Sequence, residues 1–284
     1  MTQEASDNGA ICLDLLREID RDRYLACLLS PADKRPAIAA LYAFSAELAR
    51  IRDLVREPLP GEIRLQYWRD LLDGKGHGST EANPVAAGLL AAIERYRLPL
   101  APLQAMVEAR LFDLYDDPIE TRGMLEGYAG ETASALIQLT GLVLDPADAA
   151  RHAETAGHAG IAQTTAGLIL LMPLHRRRGQ LYLPLQLLSA VGLDREAFLA
   201  GEDRQRIGAA IEAFAGLGRE HLEKARRAGR PSPSLAPAFL TATLAAPVLD
   251  RAARAGADGL DRDLRPSQLR RQWRMLRFLM LRRL

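Results

Sequence analysis

The chain has 284 residues, 37 Lys and Arg against 36 Asp and Glu, a formal net charge of +1 and a hydrophobic fraction of 48%. This balance argues against bulk electrostatic binding of nucleic acid, and the length suffices for one large domain or two small ones with an extensive core. Cys12 and Cys27 form no C-x-x-C pair, which argues against a disulfide framework and against a thiolate zinc site.

The amino terminus, MTQEASDNGA, is polar and acidic and reads as neither a secretory signal nor an arginine-rich transit peptide. The expectation is a cytoplasmic protein, soluble or peripheral to the inner face of the cytoplasmic membrane. Leu15, Leu16, Ile19, Leu25 and Leu28 recur at helical spacing between Ile11 and Leu29, broken by the charges of Asp20 to Arg23, so one helix or two short ones lie there. Ser30 and Pro31 read as an N-cap and first-turn proline of a helix reaching about Arg56. Its inner stripe holds Ile38, Leu41, Ser45, Leu48 and either Ile51 or Arg52. A third helix covers Glu62 to Asp73, and glycine and proline content makes Asp73 to Pro84 a loop.

Helices over Pro84–Tyr96 and Ala101–Tyr115 follow, then a turn at Asp116, Asp117 and Pro118, then a buried helix over Met124–Leu144. The longest element is expected over Pro146–Met172, charge-free from Gly160 onward and stopped by Pro173. A cationic turn, Arg176, Arg177, Arg178 and Gly179, leads into Tyr182, Leu183 and Pro184, extended because the residue before proline avoids the helical region. Leu185–Val191 and Arg195–Leu199 read as short helices, with Asp194 as an N-cap, and Asp203–Ala228 as a long helix with a charged face. GRPSPS is a linker, Leu235–Ala255 an apolar helix carrying Pro247, Asp258–Pro266 a loop, and Gln268–Leu284 a basic amphipathic helix. No strand of any length and no repeat with a solenoid period is found, so the expected architecture is one all-helical domain over 1–284.

The segment from Gly160 to Pro184 resembles the second aspartate-rich segment of the squalene/phytoene synthase family. There a helix reading G-x-A-x-Q-L-T-N-I-x-R-D-x-x-E-D is followed by a glycine-arginine turn and Y-L-P. Gly160, Ala162, Arg178, Gly179, Tyr182, Leu183 and Pro184 match, whereas Leu171 and His175 stand at the two metal-binding aspartates and Leu174 at the glutamate. The family's first motif, A-F-C-R-x-x-D-D-x-x-D, falls on Ala43 to Asp53, where of its three aspartates only the last, Asp53, survives, Ala49 is apolar and Arg50 reverses the charge. Gln66 to Arg69 resembles the family's W-W-R segment. The resemblance covers about residues 24–254 and implies an all-α isoprenoid-synthase-type helical bundle around a central cavity.

In that family several Mg2+ ions, held between two carboxylate clusters, stabilise a departing diphosphate. Magnesium takes hard oxygen ligands near octahedral geometry. Of the four principal positions, Ala49, Asp53, Leu171 and His175, one keeps a carboxylate, and Glu47 offers at most one substitute. No catalytic residue, metal or cofactor is therefore expected, with Mg2+ required only if the chain is a working prenyltransferase with an unconventional metal site. Arg50, Arg52, Asp53, Arg176, Arg177, Arg178 and Tyr182 are the candidate contacts for a phosphate or prenyl group, since arginine pairs bidentately with phosphate. The competing reading puts Arg50 on a solvated face and the triple arginine at the negative end of a helix.

His152, Glu154 and His158 have spacings that permit a metal pair, but no third ligand, and they read better as surface or satisfied side chains. No nucleophile elbow, Walker loop or dinucleotide fingerprint occurs. The last helix either lies on an anionic membrane or docks on the bundle with its arginines outward.

A-F-S-A-E-L-A-R-I-R-D, Q-Y-W-R, Y-A-G-E-T and P-A-F-L together resemble the branch of the family that holds the mitochondrial respiratory complex I assembly factor and its bacterial relatives. That resemblance implies a non-catalytic factor whose partners are subunits or assembly intermediates of NADH:ubiquinone oxidoreductase. The alternatives are a protein that binds a prenyl diphosphate or isoprenoid lipid, and an active prenyltransferase.

Overall fold

The computed structural model describes residues 3–75, 82–115 and 117–284, with side chains from Asn8 onward. Residues 76–81 of the expected loop and Asp116 of the expected turn lie outside the described residues. Every regular element among the described residues is helical, as the sequence leads one to expect. No described helix is long and apolar enough to cross a membrane.

The chain divides into two compact units that interleave in sequence: Met1–Tyr115, Ala135–Ala153 and Pro231–Ala238 make the first, and Asp116–Ser134, Glu154–Arg230 and Phe239–Leu284 the second. In the first unit α1 (Gln3–Ile19) and α2 (Arg21–Leu28) are separate helices. Asp20 breaks them apart by accepting a hydrogen bond from the Arg23 amide at 3.0 Å as the N-cap of α2. α3 starts later than expected, at Arg35 (Arg35–Leu54). Ser30 donates its hydroxyl to the Ala26 carbonyl of the preceding helix, and the N-cap position of α3 falls to Lys34. The first-turn proline is instead Pro36.

Burial along α3 is far broader than a stripe, because every residue from Ala37 to Ala46 is buried, with Leu48 and Ile51 below them. A helix apolar all round belongs at the centre of its unit, and α1, α5 (Pro84–Tyr96) and α8 (Ala135–Leu144) pack against it. Phe44 meets Trp68 of α4 (Pro58–Leu72) edge to face at 5.0 Å. Pro58 and Pro60 lie in the first turn of α4, where a missing N–H costs nothing. Asn83 caps α5 by accepting from the amides of Val85 and Ala86. α6 (Leu100–Ala109) ends before a 3-10 turn at Phe112–Leu114, so the expected helix to Tyr115 is two pieces. α9 (Pro146–Arg151), capped by Asp145, completes this unit's helices.

In the second unit the expected Met124–Leu144 helix begins as α7 (Arg122–Ala129) and widens into a π turn at Gly130–Ser134 before entering α8. α10 (Ala153–Arg177) is separate from α9 and, against expectation, runs straight through Pro173. Proline removes one i→i−4 bond from a helix interior, here the one to Ile169, and the remaining ladder carries the helix for one further turn. α11 (Leu185–Ala190) and α12 (Arg195–Ala200) are the two expected short helices, with Asp194 accepting from the Ala197 amide.

α13 (Arg204–Ala228) buries Ile207, Ile211, Phe214, Gly218, Leu222 and Ala225, one stripe at helical spacing, against α14 (Ala245–Ala255). The expected Leu235–Ala255 helix is reduced to α14 preceded by two 3-10 turns, and Pro247 lies in the first turn of α14, where its missing N–H leaves no intrahelical bond unmade. A further 3-10 turn occupies Gly256–Leu260, and α15 (Gln268–Leu281) is the last helix.

Candidate functional site

The two segments that carry the degenerate acid motifs fall in different units, and each has its own local logic. On α3, Ala49, Arg50 and Asp53 lie on one outward face and all three are exposed, beneath the buried Ala37–Ala46 stretch. Arg52 is half-buried and donates to the Val55 carbonyl at 3.3 Å, closing the carboxyl end of the helix. Burial pushes the Glu47 carboxyl up, opposed by the Arg50 charge, so this carboxylate is held less readily in the anionic form a magnesium ligand must have.

On α10, Leu171 and His175 are one turn apart on the same face, and Leu171 is 40% exposed. The His175 ring packs against the Tyr182 ring at 4.5 Å with 41° between planes. Between them the chain makes a Schellman closure: the Gln180 amide donates to the His175 carbonyl at 2.9 Å and the Gly179 amide to Arg176 at 3.0 Å. Gly179 takes φ +68°, the left-handed conformation that favours glycine. The glycine-arginine turn of the motif is thus a helix cap.

Arg176 is fully engaged in structure. Its guanidinium donates to the carbonyls of Leu199 and Ala200 at 2.8 and 2.9 Å and to Asp261 at 2.6 Å, so it caps the carboxyl end of α12. Arg177 and Arg178 are exposed, and Arg176 and Arg177 occupy the last turn of α10, where a cation complements the helix dipole. Beneath His175 and Tyr182 lies a pocket of about 10 Å³ walled by Leu168, Met172, Phe198 and Phe214. That is room for about one water molecule, not for a prenyl chain.

The donor chemistry does not fit the magnesium cluster of an isoprenoid synthase. Leu171 has no ligand atom, His175 offers a nitrogen where a hard cation takes oxygen, and Ala49 offers nothing. Among the described residues, no group of three or more His, Cys, Asp or Glu is arranged to hold a metal ion.

The second unit contains a polar cluster that the sequence reading did not assemble. Arg122 donates to Glu220 through two nitrogens at 2.8 and 2.9 Å and to Glu126 at 2.6 Å. The buried His221 meets Glu126 through Nε2 at 3.1 Å and the Nδ1 of His158 through its own Nδ1 at 3.0 Å. The Arg122 Nη2 also approaches His221 Nε2, at 3.3 Å; the Glu126 carboxylate is the nearer partner, and the tautomer that serves it carries the proton on Nε2 and accepts from His158 at Nδ1. His158 is therefore a satisfied side chain, with Glu154 of the same helical face 4.0 Å from its Nε2, while His152 contacts Asp148. One signal was available in sequence: His221 continues the apolar stripe of α13.

The π turn at Gly130–Ser134 went equally unforeseen, although it coincides with the Y-A-G-E-T signature. Thr132 donates to the Tyr128 carbonyl at 2.6 Å, Ser134 donates to the Gly157 carbonyl at 2.8 Å, and Gly160 lies against the Ser134 backbone. The matching glycine on α10 is thus the one that lets the two helices touch.

Comparison with known proteins places these features. The family profile described as squalene/phytoene synthase matches residues 16–277. The bovine protein named NADH dehydrogenase (ubiquinone) complex I, assembly factor 6 is 34% identical over 238 residues, covering 83% of this chain and 71% of its own. The human protein of that name is 34% identical over 231 residues, covering 81% and 69%. A 15-cis-phytoene synthase from Synechocystis is 23% identical over 228 residues, covering 76% and 67%. In fold, the chain is similar to a dehydrosqualene synthase at a TM-score of 0.78 and 19% identity, covering 98% of this chain and 97% of the other. It is also similar to the squalene synthase HpnC of Alicyclobacillus acidocaldarius, at 0.68 and 18%, covering 92% and 94%. The fold is the all-helical one of isoprenoid synthases, and the chain belongs to the squalene/phytoene synthase family.

Proposed function

We propose that this protein acts in the biogenesis of respiratory complex I, as a family member that keeps the fold and has given up its metal-dependent chemistry. The observation that carries the reading is the replacement of acids at Ala49, Leu171 and His175 in a chain 34% identical to a complex I assembly factor across most of its length. Without two facing carboxylate clusters there is nothing to gather the cations that stabilise a leaving diphosphate. The partners are subunits or assembly intermediates of the complex, met at the cytoplasmic face of the membrane, and no cofactor is required.

Deletion in the native host is expected to abolish most NADH:ubiquinone oxidoreductase activity and to leave the assembled complex missing from native gels. Complementation with Asp53→Ala is expected to restore activity to within about twofold of wild type, because a lone carboxylate cannot organise a magnesium cluster. Normal complex I in the deletion strain would overturn the reading. So would Mg2+-dependent diphosphate release from farnesyl diphosphate by the purified protein, measured beside an active family member.

A further inference from the structure

The last helix has two faces that its docking leaves unused. α15 is held to its unit by Met275 and Phe278, both buried. At 100° per residue the opposite side carries Leu269, Trp273, Leu276 and Met280 within a sector of about 60°, and their exposures are 75%, 61%, 43% and 65%. Four large apolar side chains in line on an outward helix face exceed the scattered apolar residues of an ordinary surface.

Beside that stripe, between α15, α14 and the end of α13, lies a groove of about 770 Å³ lined by nine arginines and one acid, Asp250. Some of these arginines brace the chain: Arg226 donates to the Leu284 carbonyl, Arg251 to Leu264 and Arg274 to Thr243. Arg270 and Arg277, on the flank of α15 between the apolar stripe and the buried face, are exposed and make no ion pair among the described residues. Burial lowers the Arg274 guanidinium below its ordinary range, and the charges of Arg226 and Arg277 push the same way against Asp250. The groove therefore concentrates positive charge in a chain whose net charge is only +1. An aromatic and aliphatic stripe bordered on one side by arginines is the pattern of a helix lying in the plane of a bilayer interface, apolar face down.

We infer that α15 is an in-plane membrane anchor: Leu269, Trp273, Leu276 and Met280 enter the headgroup boundary while the adjoining arginine groove receives the phosphates of anionic phospholipids. The charge complementarity names the occupant. A neutral bilayer would satisfy the stripe but not the groove, and a soluble acidic protein would satisfy the groove but not the stripe. The inference deepens the peripheral-membrane part of the proposed function and rests on it.

Sedimentation of the full-length protein with vesicles tests it, using phosphatidylcholine alone and phosphatidylcholine with about one third phosphatidylglycerol. Binding is expected to favour the anionic vesicles by at least tenfold and to fall with added salt, since each surface arginine contributes about 1 kcal/mol. Arg270→Ala with Arg277→Ala is expected to weaken anionic binding about thirty-fold. Trp273→Glu is expected to remove it, and both changes fall on exposed positions that leave Met275 and Phe278 in place. Trp273 is also the probe: its emission should shift to the blue with vesicles, whereas Trp68 is already buried.

Equal binding to both vesicle types, or anionic binding that survives both variants, would overturn the inference. So would the same response to inorganic phosphate without lipid, or to an acidic peptide alone. Failure here with a complex I defect on deletion would remove the anchor and leave the biogenesis reading standing. Vesicle binding with normal complex I in the deletion strain would do the reverse.

Discussion

Gly160→Ala is expected to destabilise the protein by about 3 kcal/mol, seen as a lower urea midpoint at an unchanged m value. A Cβ on Gly160 would fall inside van der Waals contact of the Ser134 amide nitrogen, Cα and Oγ. Two of those three atoms are backbone, held in the π turn by the Ser134 bond to Gly157 and the Thr132 bond to Tyr128, so they cannot rotate aside. The sign makes the test sharp. In a helix interior with room for a methyl, glycine to alanine stabilises by about 1 kcal/mol, and Gly167 on the same helix, with nothing within 4 Å of its Cβ position, is the control where that gain is expected. Ser134→Gly in the Gly160→Ala background should rescue only in part, because the nitrogen and Cα remain. A stable Gly160→Ala protein would mean that α10 and the π turn do not pack this closely.

Lowering the pH is expected to destabilise the fold in two stages, both through the cluster around Arg122. Burial depresses the His221 pKa below its ordinary 6.5, with Glu126 opposing and the His158 charge assisting. Protonation would also turn its Nδ1 from acceptor to donor against a ring that is already donating. The folded state thus binds fewer protons than the unfolded one as pH drops, and stability declines from about pH 6.5 downward until folded His221 titrates. Glu220 is held at about 2, against an ordinary 4.5, by hydrogen bonds from Arg122 and Lys224. Its contribution is complete above pH 4.5 and is lost between there and about pH 2.

Glu126 behaves alike in direction: burial alone would raise its carboxyl, but the bonds from Arg122 and His221 outweigh that and lower it. Urea midpoints measured from pH 8 to 4 should fall below pH 6.5 in the wild type and stay flatter to about pH 5 in His221→Gln. An unchanged slope in the variant would assign the transition to another group. Arg122→Ala, at pH 7, should cost about 1–2 kcal/mol once solvent screening of its half-exposed carboxylates is allowed for.

Much of the molecule was open to sequence reasoning because it depends on local rules. Asp194 as a cap and the two short helices either side of it follow from side-chain capping of backbone amides, and so does the start of α13 at Asp203. The degenerate motif positions were also legible, since a missing carboxylate is a fact of composition that no folding can restore. Proline misled in both directions: Pro173 was expected to end a helix that passes through it, while Pro31 was expected to begin one that begins around Pro36. A proline costs one hydrogen bond and a steric clash, and burial of the surrounding apolar residues decides whether that is enough to break a helix.

What the sequence determined by itself is the all-helical class, the family, and the loss of acids at Ala49, Leu171 and His175, because each depends on residue type and near-neighbour spacing. Only the tertiary structure decided that Arg176 caps the carboxyl end of α12. The same holds for the pairing of His158 with His221 across 63 residues of chain and for Gly160 giving way to a π turn. Nor could spacing reveal which side of α15 is buried: Met275 and Phe278 face the unit, and Trp273 with its apolar neighbours faces out. An amphipathic pattern names two faces, but only packing against other elements says which of them is covered.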